Sequence, residues 1–72
     1  MKRIYSLIDL DCANCAAKME NAIRKIRGVT FVSISYMAQK MTLEADEGVY
    51  DEVLTQAIKA IRRVDPDCDV AL

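Results

Sequence analysis

At 72 residues the chain is too short to bury two separate hydrophobic cores, so it is predicted to form a single domain over residues 1–72. Hydrophobic residues make up 53% of the sequence and only one residue is Pro, a composition that excludes a disordered chain. The formal net charge is −1 and no long run of basic residues occurs, which argues against a nucleic-acid partner.

The first predicted element is a strand from Arg3 to Leu10, a segment rich in β-branched and aromatic residues. Strict alternation puts four of its residues on one face, namely Ile4, Ser6, Ile8 and Leu10. The out-of-phase residues Tyr5 and Leu7, together with Phe31 of a later strand, would make the uncovered face of the sheet partly apolar. Both scattered surface hydrophobic residues and a docking patch are open interpretations of that face.

A helix is predicted next, from Cys15 to Arg27, followed by two paired strands. The helical spacing is carried by Ala16, Met19, Ile23 and Ile26, and Gly28 stands where a left-handed residue would end the helix. Period-two alternation then returns twice. The strand from Val29 to Tyr36 has Val32, Ile34 and Tyr36 on one face, and the strand from Lys40 to Ala45 has Met41, Leu43 and Ala45 on one face.

The second helix is predicted from Tyr50 to Arg63, with acidic residues in its first turn and basic residues in its last, as the helix dipole favours. Pro66 forbids further helix, and Cys68 to Leu72 is predicted as a short final strand whose inward face carries Cys68, Val70 and Leu72. The resulting order is β-α-β-β-α-β. It predicts an α+β, ferredoxin-like sandwich, in which two helices cover one face of a four-stranded antiparallel sheet.

Three cysteines in a short chain without a signal-peptide pattern or a membrane-spanning run indicate metal or redox chemistry in a reducing compartment. Cys12 and Cys15 are the candidates, because they lie in Asp-Cys-Ala-Asn-Cys between the first strand and the first helix. This spacing lets two sulfurs converge on one ion. The helix N-terminus, aided by Lys18, is expected to lower the pKa of the thiols.

The element order, the position of the two cysteines, and the run Cys-Ala-Asn-Cys-Ala-Ala-Lys-Met-Glu from Cys12 to Glu20 resemble heavy-metal-associated domains. These domains occur in metallochaperones and at the N-termini of heavy-metal P-type ATPases. Copper-handling members usually have Met two residues before the first cysteine and a non-acidic residue just before it, whereas this chain has Leu10 and Asp11. The resemblance to zinc, cadmium and lead exporters implies that Asp11 joins Cys12 and Cys15 as a ligand.

The chemistry agrees with that implication, because Cu(I) is content with two thiolates while Zn(II) and Cd(II) seek about four ligands and accept a carboxylate oxygen. The predicted cargo is therefore Zn(II), Cd(II) or Pb(II), with Cu(I) less favoured. A capping or Asx-turn role without metal contact is the alternative for Asp11.

Other residues have competing interpretations. Cys68 could supply a further ligand, since the resemblance places the loop Val64 to Asp67 beside the metal loop, but its inward phase favours the core. Asp65 and Asp67 are outer-shell candidates or simply solvated loop carboxylates. The methionines that copper could use are better explained by packing or by a loop position. They are Met19, Met37 and Met41.

The resemblance implies the cytoplasmic N-terminal domain of a zinc, cadmium or lead efflux P-type ATPase in an inner or plasma membrane, with no catalysis of its own. The expected partners are the transmembrane part of that ATPase or another metal-binding domain, and the expected state is a monomer or a metal-bridged dimer. A free-standing copper metallochaperone is the alternative. A thiol-disulfide oxidoreductase is disfavoured, because the only proline, Pro66, leaves too little chain for a thioredoxin-like fold.

Overall fold

Two helices pack on one face of a four-stranded antiparallel sheet in a computed structural model that describes residues 1–72. The elements are β1 (Lys2–Ile8), α1 (Ala13–Arg24), β2 (Val29–Ser35), β3 (Lys40–Ala45), α2 (Tyr50–Val64) and β4 (Asp69–Ala71), with a short 3₁₀ turn at Glu47–Val49 before α2. The strand order across the sheet is β2-β3-β1-β4. The predicted βαββαβ ferredoxin-like fold is confirmed.

The core lies between the helices and the inner face of the sheet. It is formed by apolar residues that periodicity predicted for three elements: Met41, Leu43 and Ala45 of β3, Ala16, Met19 and Ile23 of α1, and Tyr50, Val53, Ala57 and Ile61 of α2. Ile26 and Ile34 are partly buried at its margin. Because the side chains of one face of each element meet here, the burial of apolar surface holds the sheet and helices together.

The predicted facing of β1 is wrong. Tyr5 and Leu7 are buried in the core, whereas Ile4 is 63% exposed and Ile8 48% exposed on the opposite face. The prediction placed Ile4 and Ile8 on the same face as Leu10. However, Asp9 adopts a left-handed conformation with φ of 62°, so the strand ends at Ile8, and an alternating pattern cannot reveal such a bend. Leu10 therefore turns back into the core, although it is out of phase with Tyr5 and Leu7.

A hydrogen bond explains how the core accepts the hydroxyl of Tyr5. Its oxygen lies 2.9 Å from the hydroxyl oxygen of Tyr50, which also donates to the carbonyl of Leu43 at 3.3 Å. Burial and the hydrogen bond to Tyr5 raise the pKa of Tyr50 above its usual range, so its hydroxyl stays neutral. The uncovered face is partly apolar, as predicted, but through Phe31, Ile4 and Ile8 and not through Tyr5 and Leu7.

Several element ends differ from the predictions. Helix α1 begins at Ala13 and ends at Arg24, so Gly28, with φ of 101°, serves the turn into β2 and does not cap the helix. Strand β2 ends at Ser35, which leaves Tyr36 exposed in the turn and not on the face of Val32. Strand β4 ends at Ala71, and Leu72 is 83% exposed instead of facing inward.

Candidate metal centre

The candidate site is built on the connection between β1 and α1. After the bend at Asp9, the buried side chain of Leu10 anchors the chain, and Cys12 becomes the N-cap of α1 with an extended backbone. The Cys12 sulfur accepts a hydrogen bond from the backbone N–H of Cys15 at 3.2 Å. An N-cap side chain of this kind satisfies one of the free amides of the first turn, a task that Ser or Asp usually performs. The helix cap and the candidate ligand are thus the same side chain.

Cys12 and Cys15 lie close together, and both are half-buried free thiols. Hydrogen bonding from the side chain and backbone of Cys15 lowers the pKa of Cys12, with smaller help from the charge of Lys18. The pKa of Cys15 is raised, chiefly by its hydrogen bond to Cys12 and by burial. Cys12 therefore gives up its proton before Cys15 does, and a cation bound by both sulfurs must displace the proton of Cys15.

Asp11 precedes the pair and is exposed to solvent. The capping role considered for it belongs to Cys12, whose sulfur receives the first-turn amide. No three Cys, Asp or Glu side chains are grouped closely enough to hold a metal ion. The structure brings Cys12 and Cys15 together, and the exposed carboxylate of Asp11 is not grouped with them.

The loop after α2 lies beside the metal loop, as expected. The carboxylate of Asp65 raises the pKa of both Cys15 and Cys68 by its negative charge, which places it near the two thiols. Its Oδ1 accepts the backbone N–H of Asp67 at 3.0 Å, an Asx-type turn around Pro66. Asp67 is exposed.

Cys68 is only 1% exposed and belongs to the core, which confirms the packing interpretation of this residue. Burial is the main cause of the raised pKa of its thiol, and Asp65, Asp69, Asp9 and Asp11 add to it. A neutral, enclosed thiol is a poor metal ligand until it is exposed and deprotonated. A role for Cys68 in the metal shell stays a prediction. Met19 and Met41 are fully buried and Met37 is 90% exposed in the turn, in agreement with packing and loop positions.

Two residues near the site were missed by sequence analysis. The side-chain amide of Gln39 bonds to the main chain of Leu10, and the hydroxyl of Tyr36 donates to the carbonyl of Asp11 at 3.4 Å. Both belong to the β2–β3 turn, 25 or more residues away in the chain. No local pattern reveals such contacts, and the connector Met37-Ala38-Gln39 has no Asn-Gly pair that would indicate the turn geometry.

The cysteine loop is an exposed edge and not a pocket, since the surface depressions of the molecule are lined by residues elsewhere. No helix is both long and apolar enough to cross a bilayer. A ferredoxin-like sandwich that presents two adjacent thiols at the β1–α1 junction defines a small metal-binding domain.

Comparison with known proteins agrees with that class. The model of the heavy-metal-associated domain matches residues 4–64, and the chain belongs to this family. It is 33% identical over 70 residues to a cadmium, zinc and cobalt-transporting ATPase of Bacillus subtilis (strain 168), covering 97% of this chain and 10% of that protein. It is 37% identical over 56 residues to a zinc/cadmium/lead-transporting P-type ATPase of Escherichia coli (strain K12), covering 78% of this chain and 8% of that protein.

Among solved structures, the N-terminal domain of ZntA in the Zn(II)-form is 26% identical, with a TM-score of 0.72 over 97% of this chain and 88% of that chain. The resemblance to the metal-binding domains of zinc, cadmium and lead ATPases is thereby confirmed. The chain spans about a tenth of the length of the curated ATPases it matches.

Proposed function

We propose that this domain binds a soft divalent cation, Zn(II), Cd(II) or Pb(II), through Cys12 and Cys15 with Asp11 as the third ligand. The observation that carries the proposal is the local arrangement: two half-buried thiols share one helix cap, and an exposed carboxylate directly precedes them. Thiolates suit soft cations, and an added carboxylate suits ions that seek about four ligands. A water would complete the shell in the monomer, since Cys68 is enclosed in the core.

The domain would be the cytoplasmic N-terminal part of an efflux P-type ATPase in an inner or plasma membrane. Support comes from the likeness to cadmium- and zinc-transporting ATPases, which extends over 97% of this chain in one case. In that setting the domain collects the ion or regulates the pump, while the rest of the parent chain performs transport and ATP hydrolysis. An exposed loop suits this task, because a cation held near the surface can be passed to a partner site.

A chelator-competition titration of the wild-type domain tests this function. Zn(II), Cd(II) and Pb(II) are each expected to bind with one ion per chain, and the backbone amide signals of Asp11, Cys12 and Cys15 should shift most on binding. Retention of Cu(I) alone would favour the copper metallochaperone instead. Efficient dithiol exchange without any metal binding would favour the oxidoreductase.

A further inference from the structure

The junction between β1 and the metal loop lacks a strand partner on the side of β3. The pairing of β1 with β3 runs to Ser6 opposite Lys40, and one further bond joins the N–H of Leu7 to the carbonyl of Gln39 at 2.7 Å. Beyond that point the chain bends at Asp9, and the backbone of Leu10 has no neighbouring strand on this side.

The side chain of Gln39 takes the place of the missing strand. Its Oε1 accepts the N–H of Leu10 at 3.1 Å, and its Nε2 donates to the carbonyl of Leu10 at 2.7 Å. A side-chain amide carries the same donor and acceptor as a peptide group, so it can bond both main-chain groups of one residue. Leu10 is thereby held as it would be in a sheet, immediately before Asp11 and Cys12.

Gln39 is itself tightly fixed. The second hydrogen of its Nε2 is directed to the carbonyl of Tyr36 at 2.8 Å, and its backbone is left-handed with φ of 55°. That conformation is costly for a residue with a long side chain, and it persists only where surrounding contacts hold it. The turn also reaches the next residue of the metal loop, since the Tyr36 hydroxyl donates to the carbonyl of Asp11.

We propose that Gln39 is a positioning residue for the metal loop. Its amide fixes the main chain of Leu10 and so sets the direction from which the Asp11 carboxylate and the Cys12 sulfur approach the ion. This inference rests on the proposed function. The helix cap at Cys12 holds the loop from one side and Gln39 holds it from the other. Preorganisation of this kind strengthens metal binding because less ordering remains to be done when the ion arrives.

The test compares three variants in a Zn(II) chelator competition. Gln39→Gly removes the amide and also relieves the left-handed backbone, so the fold is retained while Leu10 is released. Gln39→Asn tolerates the same backbone, but its amide is one methylene too short to reach Leu10. Ser35→Ala is the matched control, because it removes a bond of the same turn, from the Ala38 N–H to Ser35 Oγ, without touching the metal loop.

Both Gln39 variants are expected to lose about tenfold in Zn(II) affinity, as is common when a residue that supports metal ligands is removed. Ser35→Ala should keep the wild-type affinity. In the Gln39 variants the Leu10 amide should exchange faster with solvent, and the charge-transfer absorption of the Cd(II) form should change. The loss of Zn(II) affinity in Gln39→Gly should be larger than any fall in its thermal unfolding midpoint can explain.

Wild-type affinity in Gln39→Gly would overturn the positioning role and leave the metal-binding function intact. The role would also be overturned if all three variants, including Ser35→Ala, lost Zn(II) affinity in step with a fall in their thermal unfolding midpoints. A wild-type domain that binds no Zn(II) would overturn the proposed function and this inference together.

Discussion

Replacing Cys12 with Ser is expected to weaken binding of Zn(II) and Cd(II) by on the order of a thousandfold, because a neutral hydroxyl replaces one of two thiolate ligands. The substitution should leave the fold intact. Cys12 caps α1 through a hydrogen bond from the Cys15 N–H, and Ser is among the preferred residues at that position. Chelator competition measures the affinity, and thermal unfolding followed by circular dichroism measures the stability.

The third cysteine provides the control for this experiment. Cys68→Ala removes a buried thiol from the core and should lower the free energy of unfolding modestly, while Zn(II) affinity stays at the wild-type level. An equal loss of affinity in Cys68→Ala and Cys12→Ser would make Cys68 a metal ligand.

Replacing Asp11 with Asn is expected to weaken Zn(II) and Cd(II) by about 10- to 100-fold and to leave Cu(I) almost unaffected. The physical reason is the difference in coordination number, since two thiolates satisfy Cu(I) but leave the divalent ions short of ligands. Affinities for all three ions, measured with the same protein preparation, give the selectivity directly.

Asp9→Asn is the matched control for charge. It removes the same negative charge two residues away, and Asn tolerates the left-handed backbone that Asp9 adopts. If Asp11 acts as a ligand, its substitution must cost far more than that of Asp9. Equal losses for Zn(II), Cd(II) and Cu(I) in Asp11→Asn would remove the case for divalent selectivity.

Periodicity predicted α1, β3 and α2 well, because each has one apolar face and one polar face. The same reasoning gave the wrong inward face for strand β1, because both of its faces carry large apolar residues and alternation alone cannot choose between them. The deciding facts are a distant contact and a local bend. The core accepts the hydroxyl of Tyr5 because it meets that of Tyr50, 45 residues later, and Leu10 reaches the core because Asp9 bends the chain.

The candidate site divides in the same way. The convergence of Cys12 and Cys15 at the start of a helix could be predicted from the sequence, as could the core position of Cys68. The helix cap by the Cys12 sulfur and the support of Leu10 by Gln39 could not, because the first depends on where α1 begins and the second joins residues 29 positions apart. A residue pattern within one segment does not indicate which distant segments that segment contacts.

X-ray absorption spectroscopy of the Zn(II)-loaded monomer would test the metal centre most directly, because it counts the sulfur and oxygen atoms around the ion. Two sulfurs at about 2.3 Å and oxygen ligands at about 2.0 to 2.2 Å are predicted. A shell of four sulfurs, or one without sulfur, would contradict a site made of Cys12, Cys15 and Asp11.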